Sequence, residues 1–428
     1  MPQKTNNKII YGVVILVAIL TSIIVFVLIN PTNNSKIGDI KDRFLPFGNP
    51  PSAGNNPFVP TPDDTETPDD APFVIQKMRR LVDAPVAGAS FFTDDMGQIS
   101  IRYAEQKNGD VYDYSLSTGV SRQILRQNLP GVHNVLWNNN GKNAIFRFLK
   151  TVGNQDTIKT YALFFEEIAP GEDAIFEGRW LPDELPEVIV SPISEKVAYL
   201  QKNKKGDSFI WLEEIKEDQN MEGDQNREQI FASPFSEWLL EQPTEALLTL
   251  ATKPSYNLDG YLYFVDIASK TTTKILGNKK GLMALTSPDA TKILYAESAK
   301  NSYELILYNV ETKKETALGI KAFPEKCVWS VGNSNLLYCA VSNLTNNKNM
   351  PDEWYQGGVS FSDDIWLINT ETGKIGLLAR TADFDFEGQG IDVIKPFLSP
   401  DNSLLLFTNK KDGTLWLLEL ETIENAGL

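Results

Sequence analysis

The single histidine, His133, limits the acid–base chemistry that this 428-residue chain can perform. A serine hydrolase needs a nucleophile, a base and an orienting acid, usually with the serine in a Gly-x-Ser-x-Gly turn, and the sequence contains no such turn. His133 follows Pro130 and Gly131 in a turn before an apolar strand, which is typical of a structural or solvated histidine. EF-hand loops, phosphate loops and dinucleotide fingerprints are absent from the sequence as well. We therefore expect no enzyme activity and no cofactor.

Adjacent carboxylates are the other side chains that could do chemistry. They occur as pairs at Asp63–Asp64, Asp94–Asp95 and Asp363–Asp364, but a chain with 56 acidic residues produces such pairs freely. Glycoside hydrolysis needs two carboxylates that face each other across a cleft at ~5–10 Å, and spacing along the sequence does not establish that arrangement. A glycan-binding or glycan-cleaving head, with carboxylates near a central channel, is the alternative to a role without catalysis.

The only two cysteines, Cys327 and Cys339, flank a predicted hairpin with the sequence CVWSVGNSNLLYC. If Asn333 and Ser334 lie near its tip, the cysteines fall almost opposite each other, close enough for a disulfide outside the cytoplasm. A register shift of one residue would instead point them to opposite faces and leave two buried thiols. Two cysteines and one histidine are too few for a zinc cluster or a multi-histidine centre, so we expect no metal.

A partner-binding surface is expected in the long insertion between Tyr338 and Phe407. After an Asn-rich run at 343–349, the insertion has the sequence PDEWYQGGVSFSDD, and its candidate contact residues are Asp352, Glu353, Trp354, Tyr355 and Gln356. Aromatic residues beside polar ones are typical of recognition surfaces. They are equally typical of a strap whose rings fold back onto the body of the protein. A second insertion, 213–228, is polar and charged and is expected to be a solvated loop.

Seven related units must position these residues. In the clearest unit a Ser-Pro-Asp turn at Ser287 leads into an aliphatic strand that ends in an aromatic residue. The same frame recurs with ends 43 to 69 residues apart, at Tyr103, Phe146, Tyr199, Leu250, Tyr295, Tyr338 and Phe407. A second apolar strand follows in each unit, beginning at Val111, Thr160, Phe209, Tyr261, Glu304, Ile365 and Leu415. This spacing suits four-stranded blades with insertions and predicts an all-β, seven-bladed β-propeller.

Closure of such a ring is predicted at its two chain ends. The seventh unit ends soon after Leu420, with too little chain for a fourth strand, whereas Val74–Val82 precedes the first unit and has the pattern of an outer strand. We expect this N-terminal strand to complete the seventh blade, which removes an open edge. The propeller is therefore predicted to span residues 73–428.

The N-terminal part predicts a membrane anchor. Ile9–Ile29 contains no charged residue over 21 positions, and at ~1.5 Å per residue this length spans the hydrocarbon core of a bilayer. Lys4 and Lys8 precede it, so residues 1–8 are expected in the cytoplasm and the propeller outside it. Residues 30–72 hold nine of the 24 prolines and an acidic run, and such a segment cannot bury a core. We expect a disordered linker.

The resemblance to known proteins rests on the Ser-Pro turns at Ser191, Ser287 and Ser399, each followed by an aliphatic strand with an aromatic end. This repeat resembles that of the TolB-like and WD-type β-propellers and of the propeller domains of prolyl-oligopeptidase-type enzymes. The chain differs in having Ile193 in place of the aspartate, and Ala290 and Asn402 where glycine is common. The sequences PDEWYQG and NKKDGTLW also resemble uncharacterised membrane-anchored bacterial propeller proteins. The resemblance implies the fold and no activity.

The net charge of the chain limits the classes of partner that we expect. A formal charge of -16 repels phosphate backbones, so nucleic acid is not an expected partner. Together with the anchor and the absence of recognisable reactive groups, this favours a single-pass membrane protein whose propeller binds or scaffolds another protein of the cell envelope.

Overall fold

The computed structural model describes residues 78–93, 97–138, 141–152, 155–165, 176–192, 194–214, 227–299, 302–342, 349–385 and 388–420. Within these ranges, 28 strands form seven antiparallel sheets of four strands each. One short α-helix, α1 (Asp352–Tyr355), and two 3-10 helices (Pro324–Lys326 and Thr381–Asp383) complete the described elements. The all-β, seven-bladed propeller predicted from the repeat is confirmed.

The strands of each blade run in order from the innermost to the outermost. Blade 1 consists of β2 (Val86–Thr93), β3 (Ile99–Glu105), β4 (Val111–Ser115) and β5 (Ser121–Leu125). Blade 2 consists of β6 (Val132–Trp137), β7 (Asn143–Val152), β8 (Gln155–Phe165) and β9 (Phe176–Trp180). Blade 3 consists of β10 (Glu187–Val190), β11 (Lys196–Lys202), β12 (Ser208–Glu214) and β13 (Arg227–Ser233). Blade 4 consists of β14 (Trp238–Thr244), β15 (Leu247–Thr252), β16 (Asp259–Asp266) and β17 (Thr272–Lys280).

The remaining three blades follow the same plan. Blade 5 consists of β18 (Met283–Thr286), β19 (Lys292–Ala299), β20 (Ser302–Asn309) and β21 (Glu315–Ala317). Blade 6 consists of β22 (Cys327–Ser330), β23 (Asn333–Ser342), β24 (Asp363–Asn369) and β25 (Ile375–Arg380). Blade 7 consists of β26 (Val393–Leu398), β27 (Leu404–Asn409), β28 (Leu415–Glu419) and β1 (Met78–Val82).

The repeat seen in the sequence corresponds to the second and third strands of every blade. The seven unit ends lie on the second strands, where each side chain is at most 4% exposed: Tyr103, Phe146, Tyr199, Leu250, Tyr295, Tyr338 and Phe407. Two of the residues that depart from the pattern lie in the turn before the second strand. Ala290 and Asn402 both adopt φ of 57°, a left-handed conformation in which glycine carries no steric cost.

The ring closes through the N-terminal strand, as predicted. β1 pairs with β28 in antiparallel register, with Met78 opposite Leu418 and Arg80 opposite Trp416. Met78 and Val82 are buried against blades 6 and 1 respectively, so the strand also contributes to the core on both sides of blade 7. Residues 74–77 of the predicted strand lie outside the described ranges.

The hydrophobic core lies between neighbouring blades. One cluster joins blades 2 and 3 through Ile145 and Tyr199, and another joins blades 3 and 4 through Leu200 and Leu250. Side chains alternate between the two faces of each strand, so every blade buries one face against each neighbour. The first strands of neighbouring blades also meet, which places them around a central axis.

The path of the chain gives the propeller two distinct faces. Because neighbouring strands of a blade are antiparallel, turns between first and second strands and between third and fourth strands lie on one face, which we call the lower face. Turns between second and third strands, and connections between blades, lie on the other face, which we call the upper face. The insertion between β23 and β24 therefore lies on the upper face.

No helix among the residues described between 78 and 420 is long and apolar enough to cross a membrane. The predicted span 9–29 and linker 30–72 lie outside the described residues, and both stay predictions. The same applies to 343–348 of the Asn-rich run and to 215–226 of the second insertion.

Candidate functional site

A strap crosses the upper face. We give this name to residues 349–361, the described part of the insertion within blade 6. Asp352, at the start of α1, accepts a hydrogen bond from the backbone N–H of Tyr256 at 2.5 Å and another from the Ser255 hydroxyl at 3.3 Å. Both donors belong to the upper turn of blade 4. In blade 5, the Ser298 hydroxyl donates to the carbonyl of Met350 at 2.5 Å. The strap is thus fastened to two blades besides its own.

The end of the strap nearest β24 packs as an aromatic cluster. The ring centroid of Phe323 lies 5.2 Å from that of Trp354 and 5.5 Å from that of Phe361. Trp354 is fully buried, and its indole N–H donates to Asp392 with 3.1 Å between Nε1 and Oδ2. The backbone N–H of Phe361 donates to the same carboxylate at 3.0 Å. Because Asp392 directly precedes β26, these bonds fasten the strap to blade 7.

A buried ion triad lies directly against this cluster. The Lys326 ammonium donates to Asp363 at 2.6 Å and to Asp392, and all three side chains are at most 1% exposed. The ammonium also lies 4.9 Å from the ring centroid of Phe361 and 5.1 Å from that of Trp354. Burial raises the pKa of Asp363 to about 6, although the nearby ammonium opposes the rise. Removal of one member of a buried triad of this kind is costly, because it leaves a buried charge without its partner.

A lysine on the first strand of blade 7 reaches towards blades 1 and 2. Lys395, on the first strand of blade 7, keeps surface accessible to solvent but is surrounded by other blades, because its ammonium donates to Asn134 of blade 2 at 2.8 Å and to the carbonyl of Ala87 of blade 1 at 3.4 Å. Burial and the charge of Arg147 lower the pKa of Lys395 to about 8. Burial, with Arg147 and Lys395, also lowers the pKa of His133 to about 4, so this histidine is neutral near pH 7.

Carboxylates line part of the central channel. Glu187 begins the first strand of blade 3, Glu241 lies on that of blade 4, and Glu325 lies just before that of blade 6. All three side chains are half-buried, and burial raises the pKa of each to about 7. The charge of Glu325 raises the pKa of the other two further, so Glu325 acts electrostatically on both of them.

Hydrogen bonds hold two of these carboxylates in place. Glu241 accepts from the backbone N–H of Thr286 at 3.1 Å and from the Thr249 hydroxyl at 3.4 Å. Tyr355 donates its hydroxyl to Glu325 and so joins the strap to the channel. With acids and bases on different blades, this end of the channel could bind a cationic group or exchange a proton near neutral pH. No group of three His, Cys, Asp or Glu residues within the described ranges could hold a metal ion.

The predicted contact residues of the insertion differ in how far they are buried. Trp354 is buried and Tyr355 half-buried, so both rings follow the alternative in which a strap folds back onto the propeller. Asp352 and Glu353 are half-buried, and only Gln356 is exposed. Binding of a partner by this segment stays a prediction, and Trp354 has no accessible surface with which to take part.

The cysteines and the acidic pair have defined places. Cys327 and Cys339 are direct cross-strand partners in blade 6, with 4.1 Å between their Cα atoms, and the structure contains a disulfide between them. Asp363 and Asp364 project to opposite faces of β24: the former meets Lys326, whereas the latter accepts from the backbone N–H of Thr381 at 3.2 Å. They therefore do not face each other across a cleft. Asp94–Asp95 and Asp63–Asp64 lie outside the described residues.

Several charged residues of this region were not predicted from the sequence, and four of them share one position in their blades. Glu187, Glu325, Lys326 and Asp392 are ordinary polar residues in their own segments, and nothing in their neighbours marks them. A positional signal was present: all four lie at the start of the first strand of a blade or within two residues before it. In a propeller these positions surround the upper end of the channel, so the blade boundaries predict them.

Comparison with known proteins gives the fold. No family model and no curated protein matches the sequence. The structure is similar to an oligogalacturonate lyase solved in complex with manganese, with a TM-score of 0.53 and 13% identity over 85% of this chain and 97% of that chain. A weaker match is a puromycin-hydrolyzing peptidase of Mycobacterium tuberculosis, with a TM-score of 0.47 and 10% identity over 76% of this chain and 52% of that chain. TolB from Acinetobacter baumannii matches with a TM-score of 0.39 and 12% identity over 81% of this chain and 79% of that chain. The chain therefore has the fold of a seven-bladed β-propeller.

Proposed function

We propose that the propeller is a binding module for another protein of the cell envelope, held outside the cytoplasm by the membrane span predicted at 9–29. The partner docks on the upper face. The observation that carries this proposal is the exposure of Phe235 and Leu258, 43% and 64%, in the connection before blade 4 and in its upper turn. Leu258 is two residues from Tyr256, to which the strap is anchored. Exposed apolar side chains beside a rigid, polar surface are typical of docking sites for proteins.

The strap supports this proposal through rigidity. Side chains that are already fixed in the free protein lose little conformational entropy on binding, which favours affinity. The strap is held by hydrogen bonds to blades 4, 5 and 7, and the half-buried Glu353 and exposed Gln356 lie between these anchors. Together with Phe235 and Leu258 they would form a preorganised surface that combines apolar and acidic groups.

Crosslinking of the full-length protein in its native membrane tests this proposal. The chain offers a matched control, because Val120 and Val331 are also exposed, 62% and 48%, but lie in lower-face turns. We expect Phe235→Ser with Leu258→Ser to abolish capture of the crosslinked polypeptides, and Val120→Ser with Val331→Ser to leave capture unchanged. Equal capture by both double variants would remove the upper face as the docking site.

A glycan-cleaving head is the second candidate function. It is favoured by Glu187, Glu241 and Glu325, because a carboxyl group with a pKa raised to about 7 can stay protonated as a general acid. The test is cleavage of cell-wall polysaccharide by the full-length protein and by a Glu241→Gln variant. Activity that disappears in the variant would support this candidate, and no release of reducing ends by either protein would count against it.

A further inference from the structure

A groove lies on the flank of blade 3, apart from the strap and the channel. It has a volume of about 420 Å³ and is lined by side chains of the second, third and fourth strands and of the upper turn that follows β11. Trp211, one of its walls, also packs against the cluster between blades 2 and 3. The groove therefore opens on the side of blade 3 that is turned towards blade 2.

Two aromatic rings form the floor of this groove. Phe209 and Trp211 are two residues apart on β12, so they project to the same face, and both are partly exposed. One face of the Trp211 ring is covered by the Arg227 guanidinium, which lies 4.2 Å from the ring centroid, so a ligand would meet the other face. Phe209 lies opposite Gln201 of β11, and Trp211 lies opposite Gln229 of β13. Each ring thus has a glutamine beside it. No described residue forms a side-chain hydrogen bond with either of these amides, which leaves their donors and acceptors free for a ligand.

The rim of the groove is cationic, although the chain as a whole is acidic. Lys204 is exposed, and no described residue pairs with its ammonium. Lys202 lies 2.5 Å from Glu237, whose carboxylate is also 3.1 Å from Lys253. The acid at this edge is therefore already shared by two ammonium groups. On a chain with a formal charge of -16, such a local excess of positive charge is complementary to an anion.

These three features identify the chemistry of the ligand. An aromatic floor packs against the C–H groups on one face of a sugar ring. Primary amides both donate and accept hydrogen bonds, as sugar hydroxyls do, whereas carboxylates and phosphates of a simple polyanion only accept. An ammonium group forms a charge-assisted hydrogen bond with a carboxylate. We propose that the groove binds an acidic sugar chain, with a ring over Phe209 and Trp211, its hydroxyls on Gln201 and Gln229, and its carboxylate on Lys204.

The test uses the full-length protein in detergent and isothermal titration calorimetry. The probes are a hexasaccharide of alternating glucuronic acid and N-acetylglucosamine, the same hexasaccharide with its carboxyl groups reduced to alcohols, and a hexaglutamate peptide. We expect binding of the acidic hexasaccharide and markedly weaker binding of both other probes. Lys204→Gln should weaken the binding about two- to fivefold, the range for one exposed charge pair. Phe209→Leu should weaken it as well, because an apolar side chain remains but the flat ring is lost.

Lys107→Gln is the matched control, because Lys107 is an exposed lysine in the corresponding upper turn of blade 1. It should leave the affinity unchanged. Equal binding of hexaglutamate would show that charge alone attracts the ligand and would overturn the proposal. So would equal effects of Lys204→Gln and Lys107→Gln, or no binding of the acidic hexasaccharide. Circular dichroism of each variant excludes unfolding as the cause of a lost signal.

Discussion

The indole N–H of Trp354 lies 3.1 Å from Oδ2 of Asp392 and donates a hydrogen bond to it. The donor belongs to an insertion of blade 6 and the acceptor to the connection that enters blade 7. Asp392 also accepts from Lys326 and from the backbone N–H of Phe361. One carboxylate therefore joins the strap, the start of blade 6 and the start of blade 7. Loss of any one of its partners should destabilise all three segments.

Trp354→Ala should lower the free energy of unfolding by about 3–5 kcal/mol, because it removes a fully buried aromatic ring and leaves a cavity between Phe323 and Phe361. Urea unfolding followed by circular dichroism measures the change. The control is Gln356→Ala, two residues further along and exposed, which should change stability by less than about 0.5 kcal/mol. If the two variants unfold at the same urea concentration, the strap is not part of the folded core.

Lys326→Met should lower the free energy of unfolding at least as much as Trp354→Ala. It leaves Asp363 and Asp392 buried without their cation, and breaking a buried ion pair in this way costs about 3–5 kcal/mol. The triple variant with Asp363→Asn and Asp392→Asn should recover part of the loss, because no uncompensated charge then stays buried. Equilibrium unfolding of the single and triple variants compares them directly. A triple variant less stable than Lys326→Met would contradict the explanation by buried charge.

The architecture could be predicted from the sequence because every blade repeats the same short sequence pattern. The turn before each second strand and the aromatic residue at its end recur along the chain, and Tyr199 and Tyr295 occupy equivalent buried positions. Repeated local patterns of this kind need no knowledge of long-range contacts. Closure by β1 followed from the missing fourth strand of the last unit.

The site could not be predicted in the same way, because it is formed by residues that the repeat does not share. Lys326 is 37 residues from Asp363 and 66 residues from Asp392, and each of the three lies in a segment with no unusual composition. Their meeting depends on how far neighbouring blades rotate about the axis. The direction of the strap depends on single contacts, such as that of Asp352 with Tyr256, for which the sequence has no signal.

Removal of β1 should destabilise the whole propeller. Met78 and Val82 are 4% and 8% exposed, and loss of both from the core costs at least about 3 kcal/mol, apart from the lost pairing with β28. A chain that starts at Asp83 should therefore unfold at a clearly lower temperature than one that starts at Phe73. The double substitution Met78→Asp and Val82→Asp in the full chain should have the same effect. Identical melting temperatures would show that β1 does not close the ring.

The disulfide should stabilise the propeller. It joins residues separated by 12 positions, and closing a loop of about this length contributes about 3 kcal/mol through the entropy of the unfolded chain. The Cys327→Ser, Cys339→Ser double variant should lose stability of that order in urea. Because both residues are buried, the bond should resist mild reductant in the folded protein and react after unfolding. Two thiols that titrate in the native protein before reduction would exclude the bond.

Stability should pass through a minimum between about pH 7 and pH 8. The pKa of Glu187, Glu241 and Glu325 rises from 4.5 to about 7 on folding, so between these values the folded protein holds protons that the unfolded chain releases. Stability therefore falls as the pH rises through this range. The pKa of Lys395 and Lys410 instead falls from 10.5 to about 8, so the folded protein releases protons first, and stability rises with pH above about 8.

His133 opposes the fall in stability towards about pH 7, which we call the acid limb of the profile. Its pKa falls from 6.5 to about 4, so the unfolded chain holds its proton in that range and stability due to this residue rises with pH. Three glutamates outweigh one histidine, and the sum still declines towards neutrality. Urea unfolding at constant ionic strength from about pH 5 to pH 9 measures the profile.

Substitutions distinguish the acid limb from the alkaline limb, which is the rise in stability above about pH 8. Glu241→Gln keeps an acceptor for the backbone N–H of Thr286 but cannot titrate, so it should flatten the acid limb and leave the alkaline limb unchanged. Lys395→Gln should do the reverse. Glu245→Gln is the control, because Glu245 is exposed in the lower turn of the same blade. A stability that rises steadily from about pH 5 to pH 8 in the unmodified protein would contradict the raised pKa values of the channel carboxylates, because raised values require the opposite slope.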